Sequence, residues 1–330
     1  MYRKKHIASL LISSLLLCSC SMIDEDLSRC GRENGIDYQL RLLTNIQSEL
    51  STELTTEEEQ PVAEALRARL SNIFTETAHD VDLSFYTSDS LRAKHETHIM
   101  DASQASYTLY LTVREYMHLA VANIIDAANV KLTDDETAPL SHLKQAEGDT
   151  IDSHSTGLFT ARLPIDVTGD EDKTFNVKLY MANAAAALVI DTLGVSGIQH
   201  IDVFSSGFAN NFAIRDSVYT YPAKAPVVRS MDVPMPGSHY ACHYTVNFPS
   251  YQQPVSRATE EYWRFMAYVT LADGTITESI ISIQSPLLPE HLRVVKMKLK
   301  TDGGLEAVTG DVGVSVTLDW KEGGTYEPEL

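Results

Sequence analysis

Apolar residues recur every second position along most of this chain, the spacing of strands that bury one face and expose the other. Tyr38 to Leu43 has this form, and Val81, Leu83 and Phe85 alternate with Asp82 and Ser84. Thr87 to Ser90 supplies turn chemistry before Leu91 to Ile99, and Tyr107 to Val113 and Tyr116 to Asn123 form the next strand pair. One segment departs from the rule: Val62, Leu66, Leu70 and Ile73 sit at helical spacing, behind Thr56 and Glu59 in capping-box positions and Pro61 in the first turn. These predict an amphipathic helix packed on a sheet. A short helix is predicted at Pro139 to Ala146, and Leu158 to Val167 returns to strand character.

The second half reads as β almost throughout. Phe175, Val177, Leu179 and Met181 alternate with polar residues, and Ala184 to Ile190 is a fuller apolar run suited to a core strand. Ile198 to Phe204, Phe212 to Tyr221, His239 to Phe248, Tyr262 to Leu271, Thr275 to Ile283, Arg293 to Lys300 and Val312 to Trp320 continue the series. Asp273-Gly274 between two of them is a hairpin signal, because the pair readily takes the positive φ angles of a type I′ turn. In the last strand Val312, Val314, Val316, Leu318 and Trp320 share one face, which predicts a central strand. Many short strands separated by turns point to mainly β sandwiches rather than a parallel α/β sheet. The charged, glycine-containing stretch Thr168 to Lys173 suggests a division into residues 36–167 and 168–330.

The first residues change the picture from fold to location. Arg3, Lys4 and Lys5 precede the apolar run Ile7 to Leu17, and Ser19 precedes Cys20, which is the form of a lipoprotein export signal over residues 1–19. The run is about half the ~20 residues a membrane-crossing helix needs, so it reads as a segment to be removed. Cleavage would leave Cys20 at the new N-terminus for acylation, with residues 20–35 as an acidic tether. Several acyl chains are needed for stable anchoring. The chain of 330 residues carries 45 Asp and Glu against 26 Lys and Arg. Losing residues 1–19 removes Arg3, Lys4 and Lys5 and no acidic residue, and a chain so acidic repels nucleic acid. Beyond the signal, Cys30 and Cys242 either pair after export or remain two buried thiols.

Little in the sequence argues for catalysis or metal binding. Ser141-His142-Leu143-Lys144 has the Ser-x-x-Lys form, but the Ser-Asp-Asn and Lys-Thr-Gly strings which that chemistry requires do not occur. His239, Cys242 and His243, and likewise His95 and His98, are ligand types zinc prefers. On a strand His239 and His243 would share a face about 13 Å apart with Cys242 opposite, and His95 and His98 would point to opposite sides. The acidic clusters Asp134 to Glu136 and Asp170 to Asp172 could hold Ca²⁺, but without defined ligand spacing they read as solvated loops. No cofactor is implied. Tyr219, Tyr221, Tyr240, Tyr244, Tyr262 and Trp263 could form a glycan-binding face, or could be core and cross-strand packing.

Cys20, the acidic Asp24-Glu25-Asp26, then Leu27-Ser28 and Cys30 together resemble the start of the fimbrillin-like lipoproteins of the Bacteroidetes, particularly the FimB-type fimbrial anchor family. Ile23 and Gly31 stand where members usually carry an aromatic and a proline. Tyr116 with Asn123, and Asp319-Trp320 with Gly323, match further features of that family. The resemblance implies two transthyretin-like, Greek-key β-sandwich domains, the helix packed on the first, and a surface-exposed protein held in the outer membrane by lipid on Cys20. It implies an anchor or accessory subunit of a fimbria, with fimbrial subunits as partners joined by strand addition. After Trp320 the tail holds two glycines and a proline and is a poor donor, which leaves Val312, Val314, Val316, Leu318 and Trp320 as the candidate contact strand. A surface lipoprotein that binds host or other glycan is the competing class.

Overall fold

The computed structural model describes residues 33–43, 53–74, 77–101, 106–133, 142–168, 173–255, 260–308 and 314–321, the last five of these by backbone only. The export signal, Cys20, Cys30, Ser141, both acidic clusters and Val312 lie outside the described residues.

The alternating segments of the first half, with one from the second, build a seven-stranded sheet. It comprises β1 (Glu33–Leu43), β2 (Asp80–Tyr86), β3 (Arg92–Ile99), β4 (Ser106–Thr112), β5 (Glu115–Ala122), β9 (Phe159–Asp166) and β10 (Lys173–Met181), in the order β3-β2-β5-β9-β10-β1-β4. β1 runs parallel to β10 and antiparallel to β4. β9 and β10 pair only at Thr160–Tyr180 and Phe159–Met181. The sheet therefore turns a corner there, and its two leaves share one apolar core. Ile36 and Tyr38 of β1 and Val177 and Leu179 of β10 join Val81, Leu83 and Phe85 of β2 in that core. Within it the Tyr38 hydroxyl donates to His118 Nε2 at 2.5 Å, and His118 Nδ1 donates to the Ser84 carbonyl. At the other seam Lys94 Nζ donates to the Tyr110 carbonyl and the His98 ring lies against Tyr107, so side chains bind β3 to β4.

Helix α1 (Gln60–Ile73) forms as its spacing predicts, burying Val62, Leu66, Leu70 and Ile73. Thr56 and Glu59 exchange the expected hydrogen bonds, Glu59 N–H to Thr56 Oγ1 and Thr56 N–H to Glu59 Oε2. Glu59 also receives the Lys296 ammonium at 3.0 Å. That ion pair fastens the start of the helix to the second half of the chain as well as to the first core.

The second half forms a two-sheet sandwich. One sheet contains β11 (Ala184–Asp191), β16 (Met231–Val233), β17 (Tyr240–Asn247), β20 (Leu292–Leu299) and β21 (Leu305–Ala307), ordered β16-β17-β11-β20-β21. The other contains β8 (Thr150–Asp152), β12 (Ile198–Ser206), β15 (Val227–Arg229), β18 (Trp263–Leu271), β19 (Ile276–Ile283) and β22 (Val314–Lys321), ordered β22-β19-β18-β12-β15-β8. β11 is buried on both faces. Ala184, Ala186, Leu188 and Ile190 enter the sandwich core, whereas Ala185, Ala187 and Val189 enter the core shared with α1 and the first sheet. Its uninterrupted apolar run has this cause, and its alanines let layers approach on either side.

A small sheet of β6 (Val130–Thr133), β7 (His142–Gln145), β13 (Asn211–Ala213) and β14 (Val218–Thr220) covers the outer face of β5, where Leu119 and Val121 meet Leu143 and Phe212. Residues 142–145 are thus a strand, not the predicted helix; pairing with β6 and β13 overrides local propensity.

The division of the chain also differs from the one read at Thr168 to Lys173. β10 lies inside the first sheet, and the chain crosses to the second sandwich at Ala182–Asn183. Asn183 is fully buried at this crossing, where its Oδ1 accepts from Leu158 N–H at 2.5 Å and its Nδ2 donates to His154 Nδ1 at 2.7 Å. Pairings β7 with β13 and β8 with β15 further interlock the halves.

Candidate functional site

Two features of this architecture are left open, an outer strand and a cleft. β22 pairs with β19 from Ile276–Lys321 to Ile283–Val314 and ends its sheet, with β19 as its single partner among the described residues. Val314 and Val316 are half-buried against the second core and Ser315 is exposed. The shared face of the last strand is real at these positions, but among the described residues β22 is an edge strand rather than the central one predicted, because no strand pairs with it on the side away from β19. Leu318 and Trp320 lie on the same strand, which places them in register opposite Ser279 and Thr277.

The cleft lies where β9 and β10 part. Past Thr160 and Tyr180 their ladder stops, and β9 carries Pro164, which has no N–H to give; proline within a strand belongs at such an edge. Had the register continued, Arg162 would face Lys178 and Pro164 would face Asn176. Instead the strands border a cavity of about 560 Å³, lined also by Phe212 and Tyr219 of the small sheet, by Ile214 in the turn between β13 and β14, and by Glu290. Arg162, Asn176 and Lys178 are exposed, Tyr180 is 50% exposed, and neither Arg162 nor Lys178 makes an ion pair among the described residues. The Tyr219 ring stacks on Phe212 at 4.3 Å and its hydroxyl donates to the Ala182 carbonyl, so this wall is fixed. Burial raises the Glu290 carboxyl above its ordinary value, opposed in part by His291, and Glu290 is held at a positive φ of 68°.

The other residues singled out by the sequence are dispersed. Cys242 is a free, buried thiol whose pKa burial pushes up, and it faces the first core; Cys30 lies outside the described residues. His243 Nδ1 lies 2.7 Å from Asp232, and His239 lies near Asp191 at 3.8 Å. His95 pairs with Asp82 on one face of β3, while His98 pairs with Glu96 on the other, as strand alternation dictates. Among the described residues no three His, Cys, Asp or Glu side chains are placed to hold a metal ion. Lys144 pairs with Glu147.

The aromatic set does not form one face. Trp263 is 1% exposed in the second core, Tyr244 is buried, and Tyr221 stacks on Tyr251 with its hydroxyl on the Ser250 carbonyl. Tyr219 alone of that set reaches the cleft, and Tyr180 was not singled out. Its signal was present in the alternation Asn176, Lys178, Tyr180, which puts two polar groups and a ring on one outward face. Tyr116 and Asn123 prove to be structural. The Tyr116 hydroxyl donates to the Thr112 carbonyl. Asn123, buried at a positive φ of 65°, joins His79 N–H to the Gly157 carbonyl.

No family model matches the chain, and no curated protein matches it. Among solved structures it is similar to a candidate adhesin from Bacteroides ovatus, at 12% identity over 92% of this chain and 99% of that one, with a TM-score of 0.52. It is similar to a candidate polysaccharide-binding protein from Bacteroides thetaiotaomicron at 9% identity over 84% and 99%, with a TM-score of 0.51. A candidate adhesin from the same species matches at 8% identity over 87% and 97%, also at 0.51. At such identities the likeness establishes the fold, which is the mainly β, sandwich-type fold that the fimbrillin-like resemblance implied.

Proposed function

We propose that this protein is a lipid-anchored surface subunit of a fimbria or adhesin, of the anchor or accessory kind, that works by contact and not by catalysis. Cys20 carries the lipid in this reading, and the acidic tether sets the folded part off from the outer membrane. A β-strand edge makes the contact to the neighbouring subunit. The observation that carries it is β22, the last strand of the six-stranded sheet, which among the described residues pairs with β19 alone. A strand so placed offers a row of main-chain groups to an added strand, with alternate side chains supplying specificity. The fold shared with candidate adhesins and with a candidate polysaccharide-binding protein supports a surface role. No described helix is long and apolar enough to cross a membrane.

The test is recovery of the native lipoprotein from cells, with identification of co-purifying chains, for the wild type and for Ser315→Lys. Ser315 is exposed on β22, and an edge lysine opposes strand addition. Fimbrial subunits should accompany the wild type and be lost from the folded variant. Their absence from the wild type, or equal recovery with Ser315→Lys, would overturn the strand contact. Cys20→Ala should release the folded chain from the membrane fraction; undiminished retention would remove the lipid tether.

A further inference from the structure

We infer that the cleft between β9 and β10 binds a carboxylated saccharide, with the carboxylate on Arg162 and Lys178 and a sugar ring against Tyr180. The site lies on a different sheet from β22 and does not depend on the subunit contact proposed above.

The charge pattern is the first support. In a chain with a formal charge of −19, Arg162 and Lys178 come together from two strands at the mouth of one cavity, and neither is committed to a carboxylate among the described residues. Lys94, Lys144, Lys224, Lys296 and Lys300 are paired with carboxylates, whereas Arg162 and Lys178 line one cavity together without such a pair among the described residues. Two cations unpaired among the described residues, facing one cavity, form a complementary seat for an anion, and the guanidinium fork of Arg162 suits a carboxylate bidentately.

The shape and the remaining chemistry select the kind of anion. About 560 Å³ accommodates a few sugar rings. Tyr180, half exposed beside Lys178 on the outward face, presents an aromatic plane with a polar tip. Asn176 and Glu290 supply donors and acceptors for hydroxyls. An acidic peptide strand fits less well, because the cations and the ring project from the outer face of the strands, so a ligand lies over them. Pro164 also removes a donor from the edge that an inserted strand would need.

The full chain, extracted in detergent, is titrated calorimetrically with four probes: a hexuronate tetramer, a sialylated lactose, neutral maltotetraose and poly-glutamate. The variants are Arg162→Gln with Lys178→Gln, Tyr180→Ala, and Lys144→Gln as the control, with melting curves to verify the fold. At least one carboxylated sugar should bind where maltotetraose does not, and which of the two binds identifies the source of the acid. Affinity should weaken with salt and fall roughly tenfold or more in the double variant and in Tyr180→Ala. Lys144→Gln should leave it unchanged. The inference is overturned if neither carboxylated sugar binds, if binding survives the double variant or Tyr180→Ala, or if poly-glutamate binds more tightly at the same residues. None of these results would bear on β22, whose test reads co-purifying chains.

Discussion

Acidification from about pH 7.5 to about pH 5 is expected to destabilise the fold by up to about 4 kcal/mol, through two histidines that burial keeps neutral. His118 is sealed in the first core, and burial lowers its pKa to about 4 despite its bond to Ser84. His154 is lowered by burial to about 3 at the crossing between the halves. An unfolded chain protonates each imidazole near its ordinary value of about 6.5. Between that value and the folded ones the unfolded state therefore binds more protons, so stability is complete above about 6.5 and is lost as pH falls. The slope is about 1.4 kcal/mol per pH unit per histidine, hence about 2 kcal/mol each at pH 5. Asp80 and Glu290, whose carboxyls burial raises, act with the opposite sign and reduce the loss. Urea midpoints followed by the fluorescence of Trp263 and Trp320 across this range measure it. His118→Phe keeps an aromatic ring on Phe85, with which His118 stacks at 4.2 Å, and should halve the slope whatever it costs at neutral pH. A flat midpoint from pH 7.5 to 5 in the wild type, or an undiminished slope in the variant, would refute the reasoning.

Asn183→Leu should cost about 2–5 kcal/mol in urea unfolding, because it leaves Leu158 N–H and His154 Nδ1 buried without partners; a loss under about 1 kcal/mol would show the crossing is not held this way. Gly207→Ala should lower the melting temperature distinctly. Gly207 sits at a φ of 105° with the new Cβ placed 2.8 Å from the Trp263 Cα, and backbone strain alone costs about 1–3 kcal/mol; an unchanged melting temperature would contradict the close approach. Deleting residues 314–330 should lower the melting temperature of the second sandwich and promote association along the bared edge of β19, whereas a monomer with an unchanged transition would make β22 a detachable arm.

Strands that bury one face were legible because their period survives tertiary packing, and β11 announced its two buried faces through an unbroken apolar run. The hairpin at Asp273-Gly274 and the capping box at Thr56 and Glu59 were local, so they too could be read, although Gly274 alone takes a positive φ and the turn is not the type I′ expected. Pairing across distance could not. The polar stretch at 168–173 looked like a boundary because a long connection inside one sheet has the composition of a linker. Residues 142–145 looked helical because a short strand carries too few positions to show its period. The cleft was least visible, since it exists only because β9 and β10 stop pairing, and Pro164 was its one local sign. Nothing local marks Arg162 or Lys178, because only the folded sheet sets them on the two borders of one cavity.

The sheet containing β11 has no solvent side along that strand, and this bears on how the molecule could be taken apart. A protein whose sandwiches were joined by a linker could lose one, exchange it, or be cut into two working pieces. Here each core supplies a wall of the other, the helix is pinned to both, and strands from early in the chain complete sheets begun later. A nick at the crossing would yield fragments that each expose an apolar wall, so the two sandwiches stand or fall as one unit.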